Sequence, residues 1–86
     1  MESEFAIADP RDDTRGGHLN FTIHDGTAKI PGRISSAAMR LLADNPHDSP
    51  TDVFNANKSK IRLAAYKSRR FNPRLPLILL SLSDFT

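Results

Sequence analysis

The stretch Leu19-Asn20-Phe21-Thr22-Ile23-His24 alternates strictly between apolar and polar side chains, and Asp25-Gly26 follows it directly. A period of two puts Leu19, Phe21 and Ile23 on one face of a β-strand. Asp-Gly is a favoured two-residue hairpin loop, because a tight turn with the twist of its strands needs positive φ at its centre. Folding the chain back about Asp25-Gly26 sets Ile23 opposite Ala28, Phe21 opposite Ile30 and Leu19 opposite Gly32. Asn20, Thr22 and His24 then share the other face with Thr27, Lys29 and Pro31. A slip of one residue would turn the whole apolar set to water, so the register is well specified. Pro31 lacks an N–H, which places it at an edge or near the end of its strand.

The rest of the chain is read around that hairpin. Glu4-Phe5-Ala6-Ile7-Ala8 alternates more weakly and reads as a short first strand ended by Asp9-Pro10, with Gly16-Gly17 as a turn before Leu19. Ser35 or Ser36 caps a short helix carrying Ala38, Met39, Leu41 and Leu42, which Asp44-Asn45-Pro46 stops. One long helix opens with Ser49 as cap, Pro50 in its first position and Asp52 in its third, and ends at Phe71-Asn72-Pro73. Along it Val53, Phe54, Asn57, Ile61, Ala64, Ala65 and Ser68 fall in a sector of about 120°, the width of a core-facing stripe. Leu77-Ile78-Leu79-Leu80-Ser81-Leu82, bounded by Pro76, is too short for a helix and reads as a buried strand.

These elements predict a single α+β domain over residues 1–86 in the order β-β-β-α-α-β, a small antiparallel sheet packed by one short and one long helix. Phe21, Phe54, Ile61 and Leu80 are its expected core. With 86 residues and no cysteine, packing alone must hold the fold, since no disulfide or thiolate metal site is available. The final strand is apolar on both faces, with Leu77 and Leu79 on one and Ile78, Leu80 and Leu82 on the other. Helices on one side of the sheet would cover only one row. The second calls for a terminal segment or a second copy of the chain.

No constellation for chemistry emerges. His18, His24 and His47 lack metal-ligand spacing, and Gly16-Gly17 is followed by neither the Gly-Lys-Ser/Thr of a phosphate loop nor a helix start. Ser35, Ser36 and Ser49 stand where helix caps are needed, and Asp12-Asp13 is flanked by Arg11 and Arg15 in a polar segment where local charge pairing accounts for it. The expectation is a non-enzymatic protein with no metal and no cofactor. Asn57 lies inside the apolar stripe, where a buried amide needs partners, and is expected to tie down a loop or the chain end near Asp84.

Charge is the remaining signal. Residues 1–50 hold five Lys/Arg against eight acids, and residues 51–86 hold seven against two. No acid occurs from Lys58 to Arg74. Lys58, Arg62 and Arg69 project at nearly the same helical angle, with Tyr66 close by and Arg70 and Arg74 beyond, so these six residues are the candidate contacts for nucleic acid. No helix-turn-helix or RNP pattern accompanies them, and a solvated helix face has the same composition. The acidic opening Met1-Glu2-Ser3-Glu4 is unlike a secretory signal, and no apolar run approaches the ~20 residues of a membrane span, so a cytoplasmic location away from membranes is expected.

Several short motifs occur in a characteristic order: Asp13-Thr14-Arg15, the Asp25-Gly26 hairpin, Ile34-Ser35 opening a helix with Ala38-Met39, Phe54-x-x-Asn57-Lys58-x-x-Ile61, and Leu82-Ser83-Asp84-Phe85. In that order, over about residues 5–85, the chain resembles the small bacterial proteins of the domain of unknown function 1488 family, which usually have arginine in place of Lys58. The resemblance implies an α+β fold and a bacterial source, and it carries over no catalytic or binding residue. Some members bear a transcriptional-regulator label. Two functions stay open: an interaction or regulatory module, as a homodimer or on a protein partner, and a nucleic-acid-binding protein.

Overall fold

The computed structural model describes residues 4–12, 18–45 and 47–86. The Gly16-Gly17 turn, Asp13, Thr14, Arg15, Pro46 and the first three residues lie outside the described residues. Four strands, β1 (Phe5–Asp12), β2 (Leu19–Asp25), β3 (Ala28–Ile34) and β4 (Ile78–Leu80), form one sheet in the spatial order of their numbers. The first three pair antiparallel and β4 joins β3 in parallel. A parallel neighbour requires a crossover, and this one contains all the helices: α1 (Ser36–Leu42), α2 (Pro50–Ala56) and α3 (Lys58–Phe71). The class is α+β, with a mixed sheet where a wholly antiparallel one was expected.

The hairpin turns one residue later than its sequence suggests. Gly26 and Thr27 are its central residues, and Asp25 pairs with Ala28, Ile23 with Ile30, Phe21 with Gly32 and Leu19 with Ile34. Gly26 has φ 61° and Thr27 is not left-handed, the sign pattern of a turn with glycine first, so the glycine sets the loop position and Asp25 stays in the strand. The displacement is two residues in pairing, which preserves parity, and Leu19, Phe21, Ile23, Ile30 and Ile34 all remain buried on one face. Pro31 belongs to an interior strand. Counting from the closing pair, it falls at a non-bonded pair with β2, and β4 pairs only from Gly32 onward, so no ladder partner is lost.

β1 likewise runs past Asp9-Pro10. The register jumps between Ala8 and Arg11, with Asp9 at φ 56°, so a bulge absorbs the proline within an edge strand. The expected long helix is two. Asn57, at φ −114° and ψ 21°, breaks it, and its side-chain amide donates to the Val53 carbonyl (2.9 Å) and to the Leu42 carbonyl at the end of α1 (3.2 Å). Asn57 is therefore the structural tie its place in the stripe implied, but its target is α1 and not Asp84. The order of elements becomes β-β-β-α-α-α-β.

The three helices cover one face of the sheet. Phe21, Phe54, Ile61 and Leu80 are fully buried between the layers, as expected, with the Phe21 and Phe54 rings 5.5 Å apart. Ser35 and Ser49 cap α1 and α2 through their hydroxyls. β4 is shorter than its apolar run because Ser81 leaves the ladder. Its N–H donates to Asp84 Oδ2 (2.7 Å), closing a capping box at the head of the 3₁₀ turn Leu82–Asp84. The Ser81-x-x-Asp84 spacing is a legible signal of that turn, and it lifts Leu82 out of the buried row to 43% exposure.

Candidate functional site

Of the six residues of the basic helix face, two hold the fold together. The flank of α3 lies against the start of β1 and the hairpin turn. There Arg62 Nε donates to the Phe5 carbonyl (2.9 Å), with its guanidinium 5.8 Å from the Phe5 ring centre. Arg69 Nε meets Asp25 Oδ2 at 2.8 Å, and Arg69 also donates to the Pro73 carbonyl. Tyr66 is half-buried with its ring edge-on to Phe5, centroids 5.2 Å apart, and its hydroxyl accepts from Arg70 (3.0 Å). Lys58, Arg70 and Arg74 are exposed. The cations fall at the angles their spacing dictates, but Arg62, Tyr66 and Arg69 face their own chain. No local pattern announces this, because Phe5 and Asp25 are 57 and 44 residues away from their partners.

Two other surfaces stand out. The first is the β4 edge. Ile78 and Leu80 are buried, while Leu77 and Leu79 are 37% and 56% exposed on the opposite side of the strand. The Ser35 N–H donates to the Leu80 carbonyl (2.9 Å), so Leu80 turns its backbone toward β3, and strand alternation turns that of Leu79 outward. The two edges of the sheet differ in kind. β1 has Asp9, Pro10, Arg11, Asp12 and a bulge, the devices that discourage another strand from pairing. β4 has no charge, proline or bulge, and only its shortness limits pairing.

The second is a groove of about 650 Å³ between α1, α3 and the C-terminal turn. Half-exposed Leu41 and Leu63 and partly buried Phe85 line it, with Lys60 and Lys67 along the α3 wall. Of the apolar residues Ala38, Met39, Leu41 and Leu42 of α1, Leu41 is turned out into this groove while Ala38, Met39 and Leu42 are buried.

The histidines are dispersed. His24 lies on the open face of the sheet opposite Lys29, separated by the Thr22/Pro31 pair from Asn20 and Arg33, which hydrogen-bond to each other (3.0 Å). Among the described residues no group of three or more His, Cys, Asp or Glu could hold a metal ion, and no helix is long and apolar enough to cross a membrane. The fold and its surfaces define a small mixed-sheet α+β domain with one open sheet face. No family model, curated protein or solved structure matches the chain.

Proposed function

We propose that the chain is a non-enzymatic interaction module of the bacterial cytoplasm that works as a homodimer joined along β4. The observation that carries this reading is the undefended β4 edge, with an outward backbone at Leu79 and the exposed leucines 77 and 79. Antiparallel pairing about a two-fold axis at Leu79 would exchange two N–H···O=C bonds between the Leu79 residues. It would bring the two apolar rows together and continue the sheet across both copies. The pairing would stop at Ser81, whose N–H is held by Asp84.

Sedimentation over a range of concentrations tests it. The parent should associate, and Leu79→Lys, at a position already open to water, should give a folded monomer. A parent that stays monomeric at high concentration would remove the dimer.

A second reading, nucleic-acid binding, is favoured by the absence of any acid between Asp52 and Asp84 and by the exposure of Lys58, Arg70 and Arg74. Three phosphate contacts would give a log–log salt dependence near roughly −2 to −3. Lys58→Glu with Arg74→Glu should abolish binding without moving the melting temperature, since neither side chain bonds to the rest of the described chain. Absence of binding to single- and double-stranded DNA and RNA at low salt, with protein at tens of micromolar, would leave these cations as solvated surface.

A further inference from the structure

We propose that the groove between α1, α3 and the C-terminal turn docks an amphipathic helix of a partner protein, one whose apolar stripe is flanked by acidic residues two turns apart. The inference rests on the reading of the chain as an interaction module, but it uses a surface that shares no residue with the β4 edge.

The walls set the shape of the occupant. Two are helices, whose side-chain ridges receive another helix. Leu41 and Leu63, 48% and 47% exposed, leave the groove open along its length, unlike the closed pocket a small ligand needs. Its floor continues into the core through Phe85, so an apolar stripe laid on it would be contiguous with packed side chains.

Charge sets the flank. Lys60 and Lys67 are exposed and make no hydrogen bond or ion pair with another described residue. Seven residues apart, they stand about 10.5 Å from each other along the helix axis, the spacing at which a helix lying alongside presents its own residues i and i+7. Two acids at that spacing would meet both lysines. On the far side, Asp44 ends the α1 wall and would repel an acidic flank, which orients it toward α3. The Asp84 carboxylate is turned to the Ser81 N–H and hydroxyl.

A displayed library of 18-residue alanine-based helical peptides tests this, with a fixed leucine stripe and flanking positions i and i+7 varied among Glu, Gln and Lys. The bait is the full chain with Leu79→Lys, which keeps β4 pairing out of the readout. Peptides with Glu at both positions should be enriched and should shift the NMR signals of Leu41, Leu63 and Phe85. Lys60→Glu with Lys67→Glu should weaken the Glu peptide roughly tenfold, as expected of two rim ion pairs made repulsive, and the Lys peptide should regain that factor. Each of three results would overturn the proposal. The first is no enrichment, or winners indifferent to flanking charge. The second is saturable binding of laurate in the groove with no peptide selected, which would make it a site for a small anionic amphiphile. The third is loss of self-association in Leu63→Glu but not in Leu79→Lys, which would seat a second copy in the groove.

Discussion

Gly32 stands directly opposite Phe21, and a Cβ placed on it would lie 2.5 Å from the tip of that ring. The ring has little room to retreat, because Phe54 packs against it from the helix layer. Gly32→Ala should therefore destabilise the protein. Overpacking of this kind costs about 1–3 kcal/mol, against a gain of about 0.4–1 kcal/mol from stiffening the unfolded chain. Thermal unfolding should show a fall of several degrees. Adding Phe21→Leu, which shortens the opposing side chain, should recover part of the loss. A melting point unchanged or raised in Gly32→Ala would mean that the strands are not paired in this register. The glycine was legible as a residue on the apolar face, but its opposition to Phe21 depended on where the hairpin turned.

At the scale of elements, the junction of α2 and α3 separates two accounts of the same sequence. In one continuous helix, Asn57→Ala would be mildly stabilising, since alanine is the better helix former by up to about 0.7 kcal/mol. In the structure the amide of Asn57 ties the end of α1 to the break, so its removal should cost about 1–2 kcal/mol through lost hydrogen bonds to the Val53 and Leu42 carbonyls. The sign of the change in denaturant midpoint decides between the two. The helical stripe was readable to either side of Asn57 because 3.6-residue periodicity is a local property. The break was not readable, because its cause is a carbonyl on another helix.

For the molecule as a whole, α3 is fastened to the sheet by its arginines. Arg62 holds the start of β1 and Arg69 holds the hairpin turn, so each of Arg62→Ala and Arg69→Ala should lower stability by about 1 kcal/mol. Their effects should be roughly additive, because they share no partner. Lys58→Ala and Arg74→Ala should stay within about 0.5 kcal/mol. Equal, negligible effects in all four variants by urea unfolding would return the arginines to a solvated face. The sequence alone determined the α+β class, the face of the hairpin that goes inside, the cap at Ser49, a first-helix cap at Ser35 or Ser36 and the core at Phe21, Phe54, Ile61 and Leu80. All of these follow from spacing between near neighbours, which the chain carries wherever it folds. Tertiary structure alone decided that β4 runs parallel beside β3, that three of the six basic-face residues turn to their own chain, and that Leu41 and Leu63 share a groove with Lys60 and Lys67. Those outcomes depend on which distant segments meet, and no periodicity within a single element records that.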